Sequence, residues 1–250
     1  MRALRGWCFY VAFSVTLVPI ALACVLLWPF AGAAWRYQRI VRPWLGLVMG
    51  MLKFFCGVTY EVRGAENIPL TSGRPVVVLS KHSSAWETLF LPAYIPGYIA
   101  YVYKESLHWI PFFGWAAKSM KMIPIDRKNG RLAFEQIMHG GARLLNTGWW
   151  IGIFPEGTRV APGATSTFKT GGARFAVRQK AKVLPIAVNS GEFWAKNALE
   201  KTPGKIIVSI GPAIDTQGRD FNEVNYLAST WIEEEVRRIG NPRFYDASLS

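Results

Sequence analysis

The rhythm of apolar and polar positions changes near residue 60. Before it, apolar residues run almost without interruption. From Trp7 to Trp35 there is a stretch of about thirty residues with no charge, longer than the roughly 20 that a spanning helix needs. Arg2 and Arg5 precede it, Arg36, Arg39 and Arg42 follow it, and Pro43 to Tyr60 is again apolar apart from Lys53. Basic residues at both ends fit a single span poorly, because Lys and Arg gather on one side of a membrane. Pro19, Pro29 and Gly32 are candidate breaks that would return both ends to the same face. The pattern predicts a membrane anchor of two helices over residues 1–60, spanning or re-entrant, with the arginines at head groups and Trp28, Trp35 and Trp44 at the interface. A cleaved signal peptide is disfavoured, since its apolar core is usually about 7–15 residues.

After residue 60 strand-like runs alternate with helical patterns. Pro75–Ser80 (PVVVLS) is a continuous β-branched run of the kind buried inside a sheet. Gly97–Tyr103, Lys121–Ile125, Trp149–Phe154, Lys182–Val188 and Lys205–Ile210 repeat the pattern. Helical periodicity falls between them at Trp86–Pro92, Arg131–Asn146 and Gly172–Gln179, and a last helix is predicted at Phe221–Ile239. Interleaved strands and helices predict an α/β fold over residues 61–250, a mixed and largely parallel sheet flanked by helices. The tail from Asn241 reads as a loosely held terminus.

Composition sharpens this picture in one direction. Half of the chain, 51%, is hydrophobic, with 11 Trp and 15 Phe, and the formal net charge is +13. Such a charge attracts nucleic acid, anionic lipid or phosphorylated substrates alike. Here the basic residues flank apolar segments and no nucleic-acid motif accompanies them, so a lipid surface is favoured and nucleic acid is not expected. Cys8, Cys24 and Cys56 have no metal-ligand or CxxC spacing, and no metal site is expected.

Two constellations carry candidate chemistry. Directly after the first buried run comes Lys81-His82-Ser83-Ser84-Ala85-Trp86-Glu87. A carboxylate bonded to one ring nitrogen of a histidine leaves the other free to take a proton, which pairs His82 with Glu87. The competing reading is a capping box, Ser84-x-x-Glu87, in which the glutamate bonds only the helix start. Residues five apart do not share a helix face, so the pair requires His82 to lie just outside the helix. The second constellation, Phe154-Pro155-Glu156-Gly157-Thr158-Arg159, follows a strand run, with Pro155 and Gly157 shaping a turn. It offers Glu156, Thr158 and Arg159 at the turn, where Arg159 and the Gly157 and Thr158 amides suit a phosphate. A serine nucleophile at Ser83 or Ser84 is disfavoured because neither sits in a G-x-S-x-G elbow. His108 and His139 lack an acidic partner at useful spacing.

In order along the chain, His82–Glu87, Ile125-Asp126-Arg127, FPEGTR at 154–159 and VLPIAV at 183–188 resemble the motif blocks of the glycerophospholipid acyltransferases. Within that family the resemblance is greatest to the bacterial 1-acylglycerol-3-phosphate group, and it covers about residues 75–190. Phe168-Lys169-Thr170-Gly171 is similar to the element that follows FPEGTR there. The resemblance implies transfer of a fatty acyl group from acyl-CoA or acyl-acyl carrier protein to a lysophospholipid, with no further cofactor. It implies a general base at His82, its acidic partner at Glu87, and an acceptor-phosphate site at Lys104, Arg127, Glu156, Gly157, Thr158 and Arg159. It also implies a bacterial inner-membrane location with the catalytic domain on the cytoplasmic side. Glu87 stands where the family usually has aspartate. The alternatives are the same chemistry on another lysolipid, such as a lyso-ornithine lipid, and a non-catalytic lipid-binding protein that keeps the fold.

Overall fold

The computed structural model describes residues 1–71, 73–126 and 128–245. The N-terminal apolar stretch forms α1 (Arg2–Leu26), which by length and composition is the one helix among the described residues that could cross a membrane. Pro19 lies inside α1 without ending it; the chain turns instead at residues 27–30, where Pro29 sits. After the turn, α2 (Ala33–Arg36) runs through a π-helical segment into α3 (Arg42–Cys56), which ends at Gly57 with φ 66°, a left-handed cap that glycine adopts without strain.

The predicted strands and helices of the second region all form. The strands are β1 (Val58–Arg63), β2 (Val76–Ser80), β3 (Tyr98–Lys104), β4 (Ile123–Ile125), β5 (Trp149–Ile153), β6 (Lys182–Val188) and β7 (Gly204–Ile210). They build one sheet in the order β1-β7-β6-β2-β5-β3-β4, parallel at every pairing except β6 with β7. The helices are α4 (Trp86–Tyr94), α5 (Phe113–Ser119), α6 (Gly130–Leu145), α7 (Gly171–Arg178), α8 (Phe221–Ile239) and α9 (Pro242–Tyr245). β1 and α5 had no expectation of their own. β1 begins at Val58, inside the stretch assigned to the anchor, because a short amphipathic edge strand is masked by the apolar run before it.

Alternate residues of β2 sort the molecule into layers, as the period of two requires. Val77 and Leu79 pack with Ile137, Phe175 and Ile232 of α6, α7 and α8. Val76 and Val78 pack with Phe9, Val48 and Phe90 of α1, α3 and α4 on the other face. The N-terminal helices are therefore a layer of the fold. Phe9 is fully buried, edge-on to Trp194 at 5.5 Å, and Trp44 is buried against Phe13 instead of lying at an interface.

Two of the arginines expected at head groups are turned inward. Buried Arg36 donates from Nη1 to the Cys24 carbonyl at 2.5 Å and from Nη2 to the Ser119 carbonyl at 2.8 Å, tying α1 to α5. Arg42 donates to the carbonyls of Ile95 and Gly97. Helix ends leave carbonyls without partners, and a buried guanidinium satisfies several at once. Trp28 and Trp35 remain exposed, together with Trp7, Val11, Val15, Leu47 and Phe54, an apolar surface of the kind that meets lipid.

Lys201 fastens α1 from the opposite side. Its ammonium lies 3.8 Å from the ring centre of Tyr10, 4.5 Å from Trp194 and 5.6 Å from Phe9, and it donates to the carbonyls of Ala198 and Leu199. Burial pulls its pKa down from 10.5 to about 8. The unfolded chain therefore holds this proton more tightly, and between pH 8 and 10.5 the Lys201 contribution to stability rises with pH. Unfolding midpoints of wild type and Lys201→Met in detergent should diverge from pH 7.5 to 9.5 in favour of the wild type. A difference that is constant with pH would show that Lys201 titrates normally.

Candidate active site

Helices leave the carboxyl ends of β2 and β5 in opposite directions. The chain passes from β2 to α4 on one face of the sheet, and from β5 to α7 on the other. The two strands are hydrogen-bonded neighbours, so their loops part over a crevice, the place where open α/β sheets take ligands. His82 lies in the first loop and residues 154–159 in the second.

His82 lies outside α4, and Glu87 reaches back from its first turn. Glu87 Oε1 is 2.8 Å from His82 Nδ1 and also accepts the Ser83 and Ser84 amides at 2.8 Å each. Oε2 accepts from the Ser190 hydroxyl at 2.6 Å. The capping box and the His–Glu pair, rival readings of the sequence, are thus one arrangement built on the same oxygen. Because a carboxylate only accepts, it places the proton of the neutral imidazole on Nδ1 and leaves the Nε2 lone pair free. The Glu87 side chain is 1% exposed and that of His82 is 13% exposed, so the base reaches solvent and its partner does not.

The second loop grips His82 by its backbone. Its amide donates to Glu156 Oε1 at 3.1 Å, and its carbonyl accepts the Val160 amide at 2.8 Å. The imidazole stacks on Phe154 with ring centres 4.1 Å apart and planes at 20°, and Phe154 stacks in turn on Tyr101.

This geometry corrects two expectations. Glu156 is not offered at the turn: its side chain is fully buried behind His82, 3.3 Å from Lys81 Nζ. Burial raises its carboxyl pKa, against the opposing pull of Lys81. A carboxylate in that place supports the His82 backbone and would repel a phosphate. The Gly157 amide is already bonded to the Phe154 carbonyl at 3.0 Å, which closes a turn whose φ of 72° favours glycine.

Thr158 is exposed and Arg159 half-buried at the turn after β5. Arg159 Nη2 donates to Asn197 Oδ1 at 3.2 Å, and Lys196 Nζ to Thr158 Oγ1 at 3.4 Å, leaving two cations side by side at the surface. Lys104 is exposed where β3 ends, one strand along from β5. Arg127 lies outside the described residues. His108 is bonded to the Tyr103 hydroxyl at 2.8 Å, a packing role. Among the described residues no group of three or more His, Cys, Asp or Glu is placed to hold a metal ion.

The sequence offered no sign of Ser190 or Lys81. Ser190 is fully buried in the turn after β6, within 3.1 Å of the Ser83 hydroxyl, and neither spacing nor motif ties it to Glu87. An apolar cavity of about 390 Å³ adjoins the second loop, walled by Val102, Ile125, Ile137 and Ile153 and edged by Phe154 and Lys169.

Comparison with known proteins gives this site its context. Residues 59–189 match the family model described as Acyltransferase. The chain belongs to the acyltransferase family. It is 38% identical over 96% of its length to the 1-acyl-sn-glycerol-3-phosphate acyltransferase of Pseudomonas aeruginosa, covering 93% of that protein. The acyltransferase of the same name from Borreliella burgdorferi is 28% identical, with 74% of each chain aligned. Among solved structures, the fold matches the 1-acyl-sn-glycerophosphate acyltransferase of Thermotoga maritima with a TM-score of 0.78 over 95% of both chains, at 22% identity.

If the carboxylate of Glu87 serves the acyltransferase by stabilising the imidazolium, Glu87→Gln should lower kcat by about 10²-fold or more while the protein stays folded. Ser190→Ala should lower kcat about 10-fold and leave both substrate KM values unchanged, because it removes one bond to the charged group. Steady-state kinetics beside thermal unfolding checks both. A Glu87→Gln enzyme of near-normal kcat would reduce Glu87 to a helix cap.

Proposed function

We propose that this acyltransferase moves a fatty acyl group from an acyl thioester to the sn-2 hydroxyl of 1-acyl-sn-glycerol-3-phosphate, forming phosphatidic acid. The observation that carries the reading is the free Nε2 of His82 opposite an Nδ1 held by Glu87, beside the cationic edge at Arg159. The names of the Pseudomonas and Borreliella relatives supply the acceptor.

The chemistry follows from that arrangement. A thioester is already activated, so no covalent enzyme intermediate is needed. His82 Nε2 takes the proton of the acceptor hydroxyl as its oxygen attacks the thioester carbonyl carbon. Glu87 stabilises the resulting imidazolium. The tetrahedral adduct collapses, the carbon–sulfur bond breaks, and the proton on Nε2 passes to the departing thiolate. Proton transfer of this kind contributes about 10²–10⁴-fold, and holding both reactants in place contributes more.

Arg159, with Lys104 and Arg127, is assigned to the acceptor phosphate, which fixes the distance from head group to reacting hydroxyl. The exposed apolar surface of α1 and α3 gives access to a lysolipid and a product that both reside in a bilayer. A place on the cytoplasmic side of a bacterial inner membrane fits a donor made in the cytosol.

The test is thiol release from palmitoyl-CoA and from palmitoyl-acyl carrier protein in detergent, with 1-acylglycerol-3-phosphate, glycerol-3-phosphate, a lyso-ornithine lipid or no acceptor. Release should require the lysophosphatidic acid and should fall to background with His82→Ala. Release with the lyso-ornithine lipid alone would keep the mechanism and replace the substrate. No release from folded protein with either donor would point to a lipid-binding role. Arg159→Ala should raise the acceptor KM about 10-fold at nearly constant kcat. A loss confined to kcat would remove Arg159 from the phosphate site.

A further inference from the structure

The layer opposite the N-terminal helices carries a basic groove that the reaction above does not use. It lies between α6 and α7, encloses about 780 Å³, and is lined by Arg131, Phe134, Glu135, His139, Arg174 and Arg178. Both helices begin at the carboxyl end of the sheet, just after β4 and just after the 154–170 loop, so one end of the groove lies on the same side of the sheet as the loop that holds His82.

Its cations are arranged for an incoming anion. The Arg174 guanidinium lies over the rings of Phe134 at 4.7 Å and Phe221 at 5.2 Å, and Arg178 lies over Phe134 at 5.9 Å. A ring holds a guanidinium by its face and accepts none of its N–H bonds, so the donor edges stay available. Among the described residues no carboxylate forms an ion pair with Arg174 or Arg178. Glu135 pairs only with Arg131, whose side chain is 91% exposed. An ordinary solvated basic face is scattered; here Arg174 and Arg178 converge on one aromatic ring, with Arg131 on the same groove wall.

The groove also leads somewhere. Gly130, Phe134 and Arg174 line it and line the 390 Å³ apolar cavity as well. That cavity ends at Phe154, whose ring is stacked on His82. A phosphate-rich head, a narrow arm and a reactive end would meet, in order, arginines, an apolar channel and the base. The groove is of the size that encloses a small molecule and lacks the breadth that a protein partner covers.

We propose that this groove binds the nucleotide phosphates of a coenzyme A thioester, with the pantetheine arm running through the adjoining cavity toward His82. This rests on the thioester donor assigned above and selects between its two sources. The donor then enters through the α6/α7 layer and the acyl chain of the lysolipid from the side of α1 and α3.

The test uses the full chain in detergent with palmitoyl-CoA, palmitoyl-phosphopantetheine, which lacks the nucleotide, and palmitoyl-acyl carrier protein. The variant is Arg131→Gln/Arg178→Gln, both exposed, with Arg131→Lys/Arg178→Lys restoring charge. KM for palmitoyl-CoA should rise about 10-fold in the glutamine variant and largely recover in the lysine variant. The lysolipid KM, the kcat and the KM for palmitoyl-phosphopantetheine should not move. Adenosine 3′,5′-bisphosphate should inhibit wild type competitively with palmitoyl-CoA and inhibit the glutamine variant more weakly. An unchanged KM for palmitoyl-CoA, an equal rise with palmitoyl-phosphopantetheine, or a rise confined to the carrier-protein donor would overturn the proposal. Absence of turnover in wild type with every donor would count against the proposed function instead, and binding of adenosine 3′,5′-bisphosphate to the wild-type groove would still decide this one.

Discussion

A single buried carboxylate organises the reactive end of this molecule. Glu87 takes an imidazole N–H, two backbone amides and a hydroxyl, and is shut away from water. A buried carboxylate is costly unless its lone pairs are filled, and here the groups that fill them are those that position the base. The two amides fix the loop before α4. Ser190 brings in the turn after β6. The imidazole is left with one orientation and one tautomer. The bonds that satisfy the carboxylate are therefore the bonds that orient the imidazole, and the helix start could not be rebuilt without disturbing His82.

Glu156 follows the principle only in part, since its Oε1 is filled while its buried Oε2 has no hydrogen-bond partner. It is buried with Lys81 and accepts the backbone amide of His82, so the loops after β2 and β5 are held together by charge-assisted contacts beneath the ring. The Glu156 side chain points into the protein and is not presented at the turn. Its neighbours divide the work: Pro155 and Gly157 shape the turn, Phe154 carries the imidazole, and Arg159 alone of the charged pair faces outward.

The layered architecture separates two phases. Residues of β2 that point one way build the core with α1, α3 and α4, and the outer surface of α1 and α3 is apolar and exposed. Those that point the other way build the core with α6, α7 and α8, whose outer surface carries Arg131, Arg174 and Arg178. The crevice at the strand ends belongs to both sides. The two outer surfaces, one apolar and one basic, thus lie on opposite sides of the sheet whose strand ends carry His82.

Much of this was legible in the sequence, since each local signal has a local cause. Continuous β-branched runs became the buried strands, and 3.6-residue periodicity located α6 and α8. The order of the motif blocks pointed to His82, Glu87 and the 154–159 turn. What escaped was long-range. Ser190 and Lys81 matter because strands distant in sequence are adjacent in the sheet. Arg36 and Trp44 read as membrane-facing yet are buried, and Arg42 is turned inward and half-buried, because a basic or aromatic residue beside an apolar run looks the same whether it meets lipid or another helix. The sequence by itself determined the element types, the apolar N-terminus and the pairing of His82 with Glu87. Only the tertiary structure decided which charges face inward, since burial depends on contacts between segments that are close in space and remote in the chain.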